Sequence, residues 1–230
     1  MPDAKRIYQE QAAAYEALLA CEDYEGRLRP ALWKICPWEG LDVVDMGAGT
    51  GRLAVMMAPE ANSMTALDLA PHMLGVARDR LHAGGWPRWA TVAADHRALP
   101  LADGQADLVV SGWSIVYTVV WYPESWRREL RQALAEMRRL LRPGGTAIII
   151  ETLGTGTTSP HPPEVMVDYL DFLAEVGFSS TWLRTDYKFA TREEAARLTG
   201  FFFGDEMIEK CEGDGPVFLP ECTGIWCRRF

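Results

Sequence analysis

An apolar run that is followed at once by a glycine-rich turn constrains the fold of this chain more than any other feature. Residues 41–46 predict a buried strand, residues 47–51 form the turn, and residues 52–58 predict the start of a helix. A strand, a tight glycine turn and a helix N-terminus together form a cradle for a nucleoside-bearing ligand. Glycine suits the turn because its backbone can approach a ligand closely and can adopt positive φ.

The turn departs from the dinucleotide-binding fingerprint. That fingerprint needs a third glycine three residues after the second, and Arg52 stands there instead. Asp45, near the end of the strand, would also repel a pyrophosphate, and it suits a ligand that carries a cation and hydroxyls. A nucleotide-dependent oxidoreductase is therefore the least favoured function.

Four more strands are expected further along the chain, at residues 63–67, 89–94, 107–111 and 146–151. Asp68 follows the first of these, Asp95 and His96 follow the second, and Gly112 and Trp113 follow the third. A long amphipathic helix precedes the last strand. This alternation of strands and helices is typical of a parallel sheet that is covered on both faces.

In order and spacing, these motifs resemble the class I S-adenosylmethionine-dependent methyltransferases, in particular their small-molecule, methyltransferase type 11-like branch. The first motif reads Val-Asp-Met-Gly-Ala-Gly-Thr-Gly over residues 44–51, and the resemblance covers residues 40–152. It implies an α/β fold with a Rossmann-like, seven-stranded, mostly parallel sheet. The implied strand order is 3-2-1-4-5-7-6, with strand seven antiparallel and helices on both faces.

We expect a single methyltransferase domain over residues 1–230. Residues 1–38 would form an N-terminal helical lid, residues 40–152 the cofactor-binding core, and residues 153–230 a C-terminal part with a helical insertion near 191–211. Strands are predicted at residues 178–189 and 217–229. Thr191 and Glu194 resemble a capping box at the start of the insertion.

The resemblance implies S-adenosyl-L-methionine as cofactor and S-adenosyl-L-homocysteine as product. Asp68 is placed to accept both ribose hydroxyls, since a carboxylate offers two acceptor oxygens; alternatively it caps the helix that follows. By resemblance, Asp95 accepts the adenine amine with His96 alongside, unless Asp95 is an ordinary loop carboxylate. Leu69 and Met73 either wall the adenine or belong to the core.

The other cofactor contacts are implied by the resemblance rather than by spacing. Asp45 is expected to hold the amino end of the methionine tail. Two backbone segments are expected to line the cofactor: Gly47, Ala48, Gly49, Thr50 and Gly51 at the ribose and tail, and Ser111, Gly112 and Trp113 at the methionine part. Tyr8 and Tyr15, on the first predicted helix, either bond to the tail carboxylate or are surface aromatics.

Methyl transfer is an in-line displacement at carbon, so alignment matters more than a strong acid or base. The candidate catalytic residues are His161 in the polar loop after strand five, Glu151 at the end of that strand, and Tyr117. His96 is a further candidate base. The alternative for His161 is an ordinary solvated loop histidine.

Three aromatic residues follow strand four at intervals of four. Trp113, Tyr117 and Trp121 share one face if this segment is helical. Such a wall suits a flat or apolar acceptor, or a cation. Core packing explains the same pattern equally well.

The net charge and the residues after strand four limit the classes of partner that the chain is expected to bind. A net charge of −9 disfavours a broad nucleic-acid or anionic-membrane surface. Residues 111–114 read Ser-Gly-Trp-Ser rather than the Asn-Pro-Pro-Tyr type of motif that amino-methylating nucleic-acid enzymes carry. The arginine-rich stretch 126–142 is interpreted as a solvated helix face, because glutamates are interleaved with the arginines. We therefore expect a small-molecule methyl acceptor, with a non-catalytic S-adenosylmethionine-binding protein as the alternative.

The cysteine spacing and the hydropathy indicate in which cellular compartment the protein is expected. The five cysteines have no CxxC spacing, which is typical of ordinary thiols in a reducing cytoplasm and predicts no metal site. No apolar run approaches the roughly 18 residues that a membrane span needs. We expect a cytoplasmic monomer or homodimer that binds neither nucleic acid nor membrane.

Overall fold

The computed structural model describes the backbone of residues 12–230 and the side chains of residues 14–230. Its helices are α1 (Ala12–Leu19), α2 (Leu28–Ile35), α3 (Arg52–Met57), α4 (Pro71–Ala83), α5 (Tyr117–Trp121), α6 (Trp126–Leu140), α7 (Glu164–Glu175) and α8 (Arg192–Phe203), with a 3-10 helix at Asp205–Lys210. Its strands are β1 (Asp42–Met46), β2 (Ser63–Asp68), β3 (Trp89–Ala93), β4 (Ala106–Gly112), β5 (Leu141–Thr155), β6 (Ser179–Arg184), β7 (Tyr187–Phe189), β8 (Val217–Leu219) and β9 (Glu221–Arg229). None of the helices within residues 12–230 has the length and apolar character that crossing a bilayer requires.

The chain divides into two compact units. The larger unit comprises Leu32–Glu151, Pro163–Thr181 and Ile225–Phe230. The smaller unit comprises the described residues up to Ala31 together with Thr152–Pro162 and Trp182–Gly224. The expected domain boundaries, with a lid, a core and a C-terminal part in one domain, stay a prediction.

The main sheet has seven strands in the order β3-β2-β1-β4-β5-β9-β6. The pairs β1–β2, β1–β4, β2–β3 and β4–β5 are all parallel. The beginning of β5 meets the end of β9, since Gly144 N donates to Phe230 O at 2.6 Å and Phe230 N donates to Gly145 O at 2.9 Å. This pairing is antiparallel. The expected fold class and strand order are confirmed, with β9 as the seventh strand of the sheet.

The central strands are buried on both sides. Leu108, Val109 and Val110 follow one another in β4, and each is 0% exposed. Successive residues of a strand point to opposite faces, so both faces of the sheet must be covered at this point. This is why β4 has an apolar run instead of an alternating pattern.

The predicted strand at 178–189 is two strands, β6 and β7. Between them Arg184 forms a bidentate ion pair with Asp186, with distances of 2.7 and 2.6 Å. Asp186 also accepts a hydrogen bond from Glu221 N at 3.0 Å. The Asp186 side chain thus accepts the hydrogen bond from a backbone N–H that would otherwise be available to a continuous strand. β7 pairs instead with β8 in a separate antiparallel sheet.

The predicted strand at 217–229 is also two strands, β8 and β9, and Pro220 separates them. Proline has no N–H to donate to a ladder, so it interrupts the pairing. Its carbonyl oxygen accepts a hydrogen bond from Gly156 N at 2.7 Å. The predicted helical insertion near 191–211 is confirmed as α8 followed by the 3-10 helix.

The capping box at the start of α8 gives a stability prediction. Thr191 Oγ1 accepts from Glu194 N at 3.1 Å, and Glu194 Oε2 accepts from Ala190 N at 2.8 Å. Thr191→Ala removes the N-cap acceptor and should lower the free energy of unfolding by about 1 kcal/mol in chemical denaturation. Thr191→Ser keeps the hydroxyl and should lose much less. An equal loss in both variants would show that the cap does not stabilise α8.

Candidate active site

The glycine turn after β1 depends on glycine for its backbone conformation. Gly47, Gly49 and Gly51 have φ values of 84°, 54° and 86°. Side chains of L-residues disfavour this region. The amides of Gly47 and Ala48 both donate to Leu67 O, at 2.7 and 2.8 Å, which fixes the turn against the end of β2. Gly51 then serves as the N-cap residue of α3.

The first glycine also has no room for a side chain. A Cβ on Gly47 would lie 1.9 Å from Ser114 Oγ and 2.6 Å from His96 Nε2. The Ser114 hydroxyl and the His96 ring are themselves 3.3 Å apart and form a hydrogen bond. The residues that follow β1, β3 and β4 therefore converge at one point. Burial lowers the pKa of His96, so its ring is neutral at pH 7.

Asp68 lies at the end of β2, beside this turn. Its Oδ2 accepts from Gly49 N at 2.8 Å, and its Oδ1 accepts from Ala70 N at 2.8 Å. Ala70 is the N-cap residue of α4, so Asp68 fixes the N-terminus of that helix as well as the glycine turn. Each carboxylate oxygen can accept a second hydrogen bond. The ribose role of Asp68 is compatible with these contacts and stays a prediction.

Asp45 contributes a buried carboxylate beneath the turn. It is 1% exposed. Its Oδ2 accepts from Ala54 N at 3.0 Å, at the beginning of α3, while Oδ1 has no hydrogen-bond partner in the described part of the chain. Burial, with a smaller contribution from the nearby charge of Asp68, raises the pKa of Asp45 to about 7. An unpaired buried acceptor is costly, and a ligand ammonium is the donor that would satisfy it. These residues therefore fit the cofactor that the motif implies.

Asp95 lies just beyond the end of β3, as expected, but its carboxylate is already engaged. Arg97 Nε donates to Oδ1 at 2.8 Å and Arg97 Nη2 donates to Oδ2 at 2.6 Å. This contact lowers the pKa of Asp95 and keeps it ionised. Its role at the adenine amine stays a prediction.

Leu69 and Met73 differ in their surroundings. Leu69 is 59% exposed, which excludes a core role. Met73 is 1% exposed, and its Cε lies 3.8 Å from the position of a Cβ on Gly49, so it packs beneath the turn. Whether either side chain touches a cofactor stays a prediction.

The segment expected to contact the methionine part of the cofactor carries a second unpaired polar atom. Ser111 is 0% exposed, and no residue among 14–230 makes a hydrogen bond to its hydroxyl. A Cβ on the next residue, Gly112, would lie 2.8 Å from Leu53 Cδ1, so the backbone of β4 approaches α3 closely here. This packing holds the end of β4 against α3.

The expectation of one aromatic face is wrong for Trp113. This residue has a φ of 49° and lies before α5, which begins at Tyr117. Its amide donates to Ile150 O at 2.7 Å, which ties it to β5 and keeps it out of the helix. Tyr117 and Trp121 do share a face, with stacked rings 5.0 Å apart. Trp113 instead packs against Arg52, whose guanidinium carbon lies 4.4 Å from the ring centroid.

Glu151 is buried in the larger unit. It is 1% exposed; its Oε1 accepts from Tyr169 Oη at 2.9 Å and from Val116 N at 3.2 Å. Its Oε2 has no partner within residues 14–230. Burial raises the pKa of Glu151 to about 8, so it holds a proton at pH 7. Sequence reasoning missed Tyr169, for which the only signal was a tyrosine on the apolar face of α7.

His161 lies in the smaller unit. Its amide donates to Leu153 O at 2.6 Å, and its side chain is exposed, as the alternative interpretation expected. An open cavity of about 540 Å³ is lined by residues 156–161 together with Glu209, Lys210, Glu212 and Pro220. The catalytic role of His161 stays a prediction.

The two tyrosines proposed for the tail carboxylate are in different positions. Tyr8 lies outside the described residues. Tyr15, on α1, is half-buried, and its ring centroid lies 5.6 Å from that of Phe202 in the smaller unit. Its role at the cofactor stays a prediction. Among residues 14–230, no three His, Cys, Asp or Glu side chains converge as metal ligands.

Comparisons with known proteins point to a methyltransferase. A family model described as a methyltransferase domain matches residues 43–145. A malonyl-[acyl-carrier protein] O-methyltransferase of Geobacter sulfurreducens is 34% identical over 229 residues, covering 94% of this chain and 77% of that protein. The enzyme of the same name from Serratia marcescens is 33% identical over 150 residues, covering 65% of this chain and 52% of that protein.

Solved structures show the same fold. A putative methyltransferase from Bacillus halodurans C-125 has a TM-score of 0.59 at 20% identity, covering 87% of this chain and 97% of that one. A SAM-dependent methyltransferase from Aquifex aeolicus has a TM-score of 0.56 at 14% identity, covering 98% and 93%.

The chain belongs to the class I S-adenosylmethionine-dependent methyltransferase family. The 34% identity to the Geobacter protein over most of both chains carries this assignment. S-adenosylmethionine is the cofactor that membership implies. The chain spans only about half the length of the first curated relatives that it matches, between 40% and 52%.

The buried carboxyl of Asp45 predicts a pH-dependent affinity for the cofactor product. An ammonium binds the ionised carboxylate, and the pKa of free Asp45 is about 7. In calorimetry, the affinity of the wild type for S-adenosylhomocysteine should fall below about pH 7, by up to about tenfold per pH unit. Asp45→Asn should bind weakly with a flat profile. A flat wild-type profile between about pH 5.5 and 8.5 would contradict the assignment.

The stability of the free protein provides the control for this prediction. Because the folded pKa of Asp45 is raised, ionisation costs stability as pH rises from about 4 to about 7. The full cost is roughly 4 kcal/mol. The stability of Asp45→Asn relative to the wild type should therefore increase over this pH range and remain constant above it.

Proposed function

We propose that this chain transfers a methyl group from S-adenosyl-L-methionine to a small-molecule acceptor by in-line displacement. The observation that carries the proposal is the unpaired Oδ1 of Asp45, buried beneath a turn of glycines with positive φ. This acceptor suits the ammonium of an amino-acid tail. Asp68, at the end of the neighbouring strand, suits the hydroxyls of a ribose.

The remaining cofactor residues follow from their place around this turn. Backbone amides of the turn would line the ribose and tail, and residues 111–113 would contact the methionine part. Asp95 and His96 would contact the adenine. When bound, S-adenosylmethionine supplies a methyl group that its positive sulfur makes electrophilic. The chain itself would align the acceptor and exclude water, since alignment is the main requirement of this reaction.

We further propose that the acceptor atom is the oxygen of an acyl carboxylate. The relatives are named for O-methylation of a malonyl group on an acyl-carrier protein. A carboxylate is already deprotonated at neutral pH, so it needs no general base. This agrees with Glu151, which holds a proton at pH 7 and is therefore a poor base there. Arg52, packed on Trp113 after β4, supplies a cation for an anionic acceptor.

The three candidate catalytic residues then have modest roles. Protonated Glu151 would donate a hydrogen bond from Oε2 to an acceptor oxygen, and Tyr117 would form a wall of the acceptor site. His161 would take part only if the acceptor has a proton to lose. A cytoplasmic location and a monomeric or dimeric state belong to the proposal as well.

Calorimetry and a transfer assay test the proposal on the full chain. We expect binding of S-adenosylmethionine and S-adenosylhomocysteine but not of NAD, and transfer of labelled methyl to malonyl-coenzyme A as the probe for an acyl carboxylate. Binding of NAD and of neither sulfur nucleoside would overturn the cofactor proposal. Binding without transfer to malonyl-coenzyme A or to any metabolite in an extract would favour a non-catalytic binding protein.

Substitution of Asp68 tests the ribose contact. Asp68→Ala removes hydrogen bonds to a charged acceptor, each worth roughly 1.5–3 kcal/mol, so the affinity for S-adenosylhomocysteine should fall by at least about tenfold. Asp79→Ala is the matched control, because Asp79 is an exposed aspartate on α4 that forms an ion pair with the neighbouring Arg78. If Asp68→Ala binds like Asp79→Ala, the ribose assignment is wrong.

A further inference from the structure

The side chain of Arg97 surrounds the carboxylate of Asp95. Its Nε and its backbone N both donate to Oδ1, at 2.8 and 2.9 Å, and its Nη2 donates to Oδ2 at 2.6 Å. A carboxylate has about four acceptor positions, and three are therefore taken. Among residues 14–230, the position that remains open is on Oδ2, so the carboxylate can accept one more donor at a fixed place.

The same guanidinium is also held from the opposite side. Its Nη1 donates to Glu129 Oε2 at 2.8 Å, and Glu129 lies in the first turn of α6 with 4% exposure. Its carbon lies 4.6 Å from the ring centroid of Tyr122. Arg97 therefore joins the loop after β3 to the segment that follows β4. Only a planar guanidinium can make the two-pronged contact with Asp95 and the contact with Glu129 together.

A second arginine of the larger unit provides a comparison. Arg139 is as exposed as Arg97, with 26% of each side chain accessible. It binds Glu136 and Asp103 and donates to the carbonyl oxygens of Leu99 and Leu101. None of these partners has a proposed role at the cofactor. If the network around Arg97 only stabilised the fold, replacement of Arg97 and replacement of Arg139 would therefore have the same kind of effect.

We propose that Arg97 is a positioning residue for adenine recognition, which fixes the Asp95 carboxylate with a single acceptor position open to the 6-amino group. This inference rests on the proposed function, because the role of Asp95 at the adenine is part of it. The 6-amino group of adenine donates hydrogen bonds, whereas the 6-oxo group of hypoxanthine only accepts them. A fixed carboxylate acceptor therefore favours an adenine ligand over a hypoxanthine ligand, and a mobile one discriminates less.

Calorimetry with two ligands tests this role. S-adenosylhomocysteine and S-inosylhomocysteine differ at the 6 position, so the ratio of their affinities reports amine recognition. The wild type should prefer the adenine ligand by at least about tenfold, as expected for one hydrogen bond to a charged acceptor. Arg97→Gln should reduce this ratio to about threefold or less. Arg139→Gln should keep the wild-type ratio even if it lowers the thermal unfolding temperature.

The remaining outcomes also decide the question. Arg97→Lys keeps a positive charge near Glu129 but cannot form the two-pronged contact, so it should lose the preference as well; it replaces Arg97→Gln if that variant does not fold. An unchanged or increased ratio in the Arg97 variants would overturn the inference, and so would a wild type that binds both ligands equally. A wild type that binds neither ligand would instead overturn the proposed function.

Discussion

The pinned glycine turn at the end of β1 is the constraint on which the candidate site depends. Leu67 O accepts the amides of Gly47 and Ala48, so the turn is fixed to the end of β2. β1 pairs with β2 on one side and with β4 on the other, so residues that follow all three strands reach the turn. A Cβ on Gly47 would overlap with Ser114 and His96, which shows how little space remains there. A side chain at this position would displace the segment after β4.

The electrostatics of the site follow from burial. Asp45 and Glu151 are each 1% exposed and each leave one carboxylate oxygen without a partner in the described part of the chain. Burial raises the pKa of both groups. Proteins accept such costs at functional sites, where a ligand offsets them. The two carboxyls suit different groups, because an ionised Asp45 can accept from a cation and a protonated Glu151 can donate a hydrogen bond to an oxygen.

The sequence was sufficient for the features that depend on local chemistry. The glycine turn and the polar residues at strand ends could be predicted from short-range pattern and the rules of parallel sheets. The strand order followed from the resemblance to a known family. The features that could not be predicted depend on tertiary contacts. Trp113 left the predicted helical face because its amide pairs with Ile150 O in β5. Arg97 and Glu129 are far apart in sequence, so no local pattern could reveal that they meet.

The residues proposed for the cofactor and for the acceptor lie in different parts of the chain. Those proposed for the cofactor lie on the glycine turn and at strand ends, and the family match over residues 43–145 contains nearly all of them. Glu151 and its partner Tyr169 lie beyond that match and contact each other through side chains of β5 and α7. Backbone geometry can serve any chain that binds the same cofactor, whereas side-chain contacts can differ from one acceptor to the next. Under the proposed function, the contacts that select the acceptor are therefore to be sought among side chains such as these, beyond the part of the chain that the family model matches.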